Sequence, residues 1–209
     1  MFVYRRGRKD ELKVALTFDD GPNPPRTAEV LDVLAEAKVS ATFFVIGKWV
    51  HAFPETLARV VHEGHVIGNH SYAHDRAICD FEEADCAIAA VTGKRSCFVR
   101  APFLHHAALA RWPPARDGRI KVIAGSVSSA DYSLTAPQSI VDAVLQHPRL
   151  GAGSIIVLHD GSEDADRRLS RPLPMIQALP DIVNGLLGRG LTPVGLDNMT
   201  LVDGFECLE

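Results

Sequence analysis

Short apolar runs rich in β-branched and aromatic residues alternate along this chain with segments of helical period, and this alternation constrains the fold most. The runs are Val14–Phe18, Ala41–Ile46, His65–Ile67, Cys97–Val99, Ile120–Val127, Ser154–Leu158 and Thr192–Val194. Between them lie Thr27–Ala37, Pro54–Glu63, Phe81–Val91, Pro137–Gln146 and Pro174–Leu187. In "TAEVLDVLAEA" the apolar Val30, Leu31, Leu34 and Ala35 share one helical face, and Thr27, after the helix-blocking "PNPP", is placed to cap it. Strands alternating with helices imply parallel strands joined by right-handed crossovers. Two arrangements suit them: a small irregular (β/α) barrel or a doubly wound open sheet.

Both arrangements collect function at the C-terminal ends of their strands. Asp19 and Asp20 follow the first run in "TFDDGP", and His70 and His74 follow the third in "GNHSYAH". Arg100 follows the fourth in "FVRAPF", Asp131 and Tyr132 the fifth in "VSSADY", and His159 and Asp160 the sixth in "IIVLHDG". Five strand ends thus carry reactive polar groups that would point to one rim.

Composition sets the limits. The chain has 209 residues, 46% apolar and 23% charged, which suits one large core. A net charge of −4 gives no electrostatic reason to expect nucleic acid or an anionic membrane surface as a partner. The basic cluster Arg5-Arg6-Gly7-Arg8-Lys9 reads as a solvated end. No apolar run approaches the roughly 18 residues of a membrane helix. No apolar signal region follows the basic cluster, so with Met1 as the native start the expected compartment is the cytoplasm. Cys79, Cys86, Cys97 and Cys207 form no CxxC pair and are expected to be reduced packing residues.

Turn chemistry accounts for Asp20-Gly21 but leaves Asp19 idle at the edge of a core. His70 and His74, four apart, share a face on a helical turn and can reach one cation. Two imidazoles and a carboxylate from another strand make a three-ligand site with open positions, the catalytic pattern. Zinc is the first choice; the set also suits other divalent metals, iron included. A guanidinium at Arg100 beside a carboxylate would hold it ionised and oriented, and a lone imidazole at the mouth, His159, is the usual general acid.

With these pieces the sequence resembles the polysaccharide deacetylase family, the NodB-homology or fourth carbohydrate esterase family, over about residues 13–199. "TFDDGP" matches the first family motif in full, and His70-Ser71-Tyr72-Ala73-His74 matches the second. The third, usually Arg-x-Pro-Tyr, reads Arg100-Ala101-Pro102-Phe103. The fourth, usually Asp-x-x-Asp-Trp, keeps Asp131 but has Ser128 for its first acid and Tyr132 for its Trp. The fifth is met by Val157-Leu158-His159. The resemblance implies a single-domain irregular (β/α) barrel over residues 1–209, with about seven parallel strands.

It further implies metal-dependent hydrolysis of N-acetyl groups on N-acetylglucosamine oligosaccharides or amino-sugar intermediates. Asp20, His70 and His74 would hold a divalent cation, zinc first, with cobalt or iron as alternatives. Asp19 would be the general base, aimed by Arg100. His159, oriented by Asp131, would be the general acid, and the Phe103 backbone N–H an oxyanion donor. Leu158, Tyr132 and Trp49 are expected to wall the acetyl pocket. The competing expectations are hydrolysis of a non-sugar amide, such as a ureide or cyclic imide, and a carbohydrate-binding relative with impaired catalysis. The polar stretches "LHHAALARWPPARDGR" and "GSEDADRRLSR" after rim residues are expected to shape specificity.

Overall fold

The computed structural model describes residues 1–161 and 174–206. Its strands are β1 (Phe2–Gly7), β2 (Lys13–Gly21), β3 (Thr42–Val45), β4 (Val66–Asn69) and β5 (Phe98–Val99). They continue with β6 (Lys121–Ile123), β7 (Val127–Ser128), β8 (Ile155–His159), β9 (Thr192–Val194) and β10 (Leu201–Glu206). The helices are α1 (Arg26–Ala37), α2 (Gly47–Ala52), α3 (Pro54–His62) and α4 (Phe81–Thr92). After these come α5 (Ala107–Ala110), α6 (Pro113–Arg116), α7 (Pro137–Leu145) and α8 (Pro174–Gly188). All five helices expected from periodicity form within two residues of their expected bounds.

The strands join in the order β10-β1-β6-β5-β4-β3-β2-β8-β7, with β9 beside the start of β2. Pairing is parallel throughout except between β1 and β10. The sheet curls so far that its β1 side meets its β8 side. Arg6 bridges Ser154, and the Gly7 N–H donates to the Gly153 carbonyl at 2.7 Å. The result is an incomplete (β/α) barrel.

The two-residue period of β2 sorts its side chains between two environments. Val14, Leu16 and Phe18 face outward into the main core, packed with Leu31 and Leu34 of α1 and Ile182 of α8. Ala15 faces the interior, in a cluster with Phe44, Phe98, Ile123 and Ile155. Thr17 and Asp19 share Ala15's face, so the pleat itself delivers Asp19 to the inside of the barrel.

Four local expectations need correction. The Arg5–Lys9 cluster is not a loose end: Arg5, Arg6 and Gly7 belong to β1, which pairs with both β6 and β10. Ile120–Val127 is two strands, because the chain changes partner at Gly125. The Ala124 N–H donates to Tyr4, whereas the Ser126 N–H donates to Ile155 on the other side. Thr27 does not cap α1. The residue before that helix is Pro25, and the Thr27 hydroxyl is engaged in a buried network described below. Cys79, Cys86 and Cys97 are free as expected, but exposed rather than packed, and Cys207 lies outside the described residues.

Candidate active site

Asp19 and Asp20 end β2, whose register against β3 shifts between Asp19 and Gly21. That bulge breaks the alternation, so adjacent carboxylates are both presented to one cavity. Asp20 adopts φ +74°, left-handed for a non-glycine residue. Seven described non-glycine residues have positive φ. Six of them, Asp20, Ser71, His74, Phe103, Leu104 and Ala130, lie on the loops of this rim. Such conformations persist only where the surroundings impose them, and they concentrate at functional sites.

His70 and His74 do not sit on a helical turn. They lie in the loop after β4, and the left-handed Ser71 and His74 fold it back on itself. The imidazoles converge on Asp20: its Oδ1 is 3.4 Å from His70 Nε2 and 3.2 Å from His74 Nε2. Buried Asn69 supports this loop, accepting the Ser71 N–H at 2.8 Å and donating to Asp85 at 2.9 Å. His70 Nδ1 lies 2.9 Å from the Arg100 carbonyl. A carbonyl only accepts, so Nδ1 carries the proton and the Nε2 lone pair faces Asp20 in the neutral ring.

These three residues form the one potential metal-holding group found among the described residues, their ligand atoms all within 4.8 Å of one another. Asp20 Oδ1 is buried yet accepts no hydrogen bond of good geometry. Four-coordinate zinc with bonds of about 2.0–2.1 Å sets its ligand atoms roughly 3.3–3.4 Å apart, close to the two Asp20–imidazole spacings. The donor set and the orphaned oxygen therefore fit a divalent cation. Burial alone would raise the Asp20 pKa. The close imidazoles of His70, His159 and His74 reverse that and hold it well below the usual carboxylate range.

Asp19 is held differently. Its Oδ1 accepts from Arg100 Nη1 at 2.6 Å, while Oδ2 faces the metal-ligand side, 3.9 Å from His70 Nε2. Arg100 is fully buried inside the barrel. Its Nη1 also reaches Thr17 Oγ1 at 2.8 Å, its Nη2 reaches the Ala124 carbonyl, and its guanidinium lies 4.1 Å from the Phe44 ring centroid. Burial lowers the Arg100 pKa, with Asp19 opposing.

Across the cleft, Asp131 grips His159 at two points. Its Oδ2 accepts the His159 backbone N–H at 2.7 Å, and its Oδ1 lies 2.8 Å from Nδ1. Ser129 Oγ adds a third bond to Oδ1 at 2.8 Å. Burial lowers the His159 pKa, but Asp131, with help from Asp20 and Asp19, raises it to about 10. Tyr132 stands edge-on to His159, ring centroids 5.9 Å apart, and is largely exposed. Phe103 packs against His74 at 4.6 Å and beneath the Arg76 guanidinium at 4.2 Å.

Asp19, Asp20, His70, His74, Asp131 and His159 all line one cleft of about 1250 Å³, joined by Phe103 and Tyr132. Small-molecule sites span roughly 300–1,000 Å³, so the cleft has room for more than a single small ligand. Arg100 lies behind Asp19 rather than in the cleft wall. Leu158 does not face the cleft: it is fully buried in the outer core, and its neighbour Val157 lines the cleft instead. The strand period is the reason, since 155, 157 and 159 of β8 point inward and 156 and 158 outward. Trp49 packs against Phe53 and Lys48 and is not among the lining residues. Ser129 escaped the sequence reading, and Val157 entered it only as part of the fifth motif. Counting alternation back from His159 would have found Val157; nothing in "VSSADY" singles out Ser129. The stretch "LHHAALARWPPARDGR" forms α5 and α6 beside the rim, whereas "GSEDADRRLSR" lies outside the described residues apart from Gly161. Among the described residues no helix is long and apolar enough to cross a membrane.

The family model for polysaccharide deacetylase matches residues 6–116. A chitooligosaccharide deacetylase of Sinorhizobium fredii is 40% identical over 189 residues, covering 85% of this chain and 86% of that protein. Another, from Rhizobium leguminosarum bv. trifolii, is 38% identical over 159 residues, 73% of each. Among solved structures, the Bc1960 peptidoglycan N-acetylglucosamine deacetylase superposes with a TM-score of 0.83 at 28% identity, covering 95% of this chain and 92% of that one.

Proposed function

The chain belongs to the polysaccharide deacetylase family, and from that premise we propose that it hydrolyses N-acetyl groups of N-acetylglucosamine oligosaccharides, with zinc as its metal. One observation carries the reading. Asp19, fixed through one oxygen by Arg100, offers its other oxygen toward the Asp20–His70–His74 cluster, while His159 closes the far side of the same cleft. The relatives that act on chitooligosaccharides, and a cleft larger than one small ligand needs, support an oligosaccharide over a small amide.

A divalent cation held by Asp20, His70 and His74 supplies Lewis-acid polarisation of the amide carbonyl and acidification of water. The protein groups perform the proton transfers. Asp19 Oδ2 takes the proton of the attacking water, held and aimed by the Arg100 guanidinium on Oδ1. The Phe103 backbone N–H, in a left-handed turn at the rim, serves the carbonyl oxygen as charge develops on it. That donor uses no side chain, so the absence of a phenol at position 103 leaves it in place. His159, kept protonated by Asp131, gives its proton to the leaving amine as the C–N bond breaks. Tyr132 flanks the leaving group's side of the cleft.

The test is acetate release from N-acetylglucosamine oligomers of increasing length by metal-stripped protein, then by protein given zinc, cobalt, iron or nothing. Release that needs metal, is best with zinc and grows with chain length is the expected result. Silence across the series, with turnover of a ureide or cyclic imide, would overturn the substrate assignment.

A further inference from the structure

We infer that Asp160 and Thr27 form a buried lock that sets the left-handed turn at Asp20, and are positioning residues for the metal ligand. The inference rests on the metal reading of Asp20, His70 and His74. Asp160 directly follows His159, is fully buried, and its side chain touches neither the cleft nor solvent. Its backbone N–H donates to the Asp19 carbonyl at 3.1 Å, tying the end of β8 to the end of β2. Its Oδ2 accepts from Thr27 Oγ1 at 2.5 Å, and that hydroxyl accepts the Asn23 N–H at 2.7 Å. Asn23 Nδ2 returns to the Asp160 carbonyl at 3.3 Å. The chain of bonds therefore runs from β8 through the first turn of α1 to the loop that leaves Asp20.

The contacts at Gly21 give the lock its purpose. The Asp160 carboxyl group lies close against Gly21, the residue after the proposed metal ligand, where any Cβ would collide with both carboxyl oxygens. Gly161 in turn abuts the Asp20 carbonyl so closely that a Cβ there would also collide. Asp20 and Gly21 thus pack tightly against residues 160 and 161. A non-glycine residue at φ +74° needs such enforcement, and relaxing it would swing the carboxylate away from both imidazoles. The second Asp160 oxygen, Oδ1, is buried and accepts no hydrogen bond. A carboxyl group retained there with half its capacity unused gains little for the fold alone. Its position behind the ligand turn accounts for it.

The test compares zinc affinity of metal-free wild-type protein, Thr27→Val, Thr27→Ser, Asp160→Ala and the Thr27→Val/Asp160→Ala double variant, by competition with a chromophoric chelator. Thermal unfolding of each metal-free protein reports folding separately. Removing outer partners of metal ligands typically weakens binding by about 10–100-fold, and Thr27→Val and Asp160→Ala are expected in that range. Thr27→Ser, which keeps the hydroxyl, is expected to bind as wild type does. The double variant should be little worse than either single one, because one lock is lost once. A folded Thr27→Val with wild-type affinity, losses that simply add, or a Thr27→Ser as weak as Thr27→Val would each overturn the lock. Wild-type protein that binds no zinc would overturn the metal reading and the lock with it.

Discussion

The Arg100 guanidinium lies 2.6 Å from Oδ1 of Asp19, and the two side chains are 0% and 5% exposed. A buried pair of this kind is weak evidence for stability, yet breaking it is costly, since one charge is left without its partner. Arg100→Met is expected to destabilise the protein by about 3–5 kcal/mol in urea unfolding. Arg100→Lys should rescue little, because one ammonium cannot serve Asp19, Thr17 and Ala124 together while stacking on Phe44. A Lys variant as stable and active as wild type would show that the fork geometry is irrelevant.

Asp19→Asn separates chemistry from metal binding. The amide keeps the shape but cannot take a proton, so turnover is expected to fall by about 10²–10⁴ with the cation still bound. His70→Ala removes a ligand and should abolish both. Metal content of the purified variants, measured beside acetate release, distinguishes the two. Near-normal turnover in Asp19→Asn would sink the assignment of Asp19 as the base.

His159, the proposed general acid, should leave its mark on pH dependence. His159 is raised from 6.5 to about 10: burial lowers it, and Asp131 more than offsets that, with Asp20 and Asp19 adding. Because the folded value lies above the unfolded one, the stability this group contributes is complete below about 6.5 and disappears as pH rises through about 10. Imidazole resonances of metal-free protein should therefore titrate far above the ordinary range. Asp131→Asn should move that midpoint, and the alkaline limb of the rate, downward. An alkaline limb unmoved by Asp131→Asn would mean that another group supplies the proton.

Much of the fold and of the site is legible in the sequence, for definable reasons. Strand ends are marked by a switch from apolar to polar residues, so Asp19, His70, Arg100, Asp131 and His159 stood out and do gather at one rim. Bonds within an element are local, and the five longer helices fell where periodicity put them. Features that depend on distant partners were hidden. β1 carries the run Arg5-Arg6-Gly7 and becomes a strand only because β6 and β10 flank it. The break at Gly125 exists because the sheet curls and offers a new partner there. Thr27 reads as a cap in the sequence because its real partner, Asp160, lies 133 residues away.

Removing the metal should disable the enzyme without unfolding it. The ligands come from a bulged strand end and a loop, while the main core lies in the outer layer of helices, away from them. Chelator treatment is expected to abolish acetate release, zinc to restore it, and far-ultraviolet circular dichroism to stay unchanged. Zinc at 100 times its dissociation constant should add about 2.7 kcal/mol of stability through linkage alone. Loss of secondary structure on chelation would make the site structural rather than catalytic.

The pleat of β8 makes a prediction that separates neighbours. Leu158 is fully buried in the outer core, whereas Val157 lines the cleft and Tyr132, 74% exposed, stands over His159. Leu158→Ala therefore opens a core cavity and is expected to cost about 2–5 kcal/mol, with KM for an N-acetylglucosamine oligomer unchanged in the folded fraction. Tyr132→Ala removes a ring already in water, so unfolding should be unaffected while KM rises, because the ring proposed to flank the sugar is gone. Val157→Ala should fall between, with a modest loss of stability and altered KM. Steady-state kinetics and urea melts on the three variants decide the matter. A Leu158→Ala protein of wild-type stability but raised KM would place Leu158 in the acetyl pocket after all, and would mean that β8 is out of register by one residue.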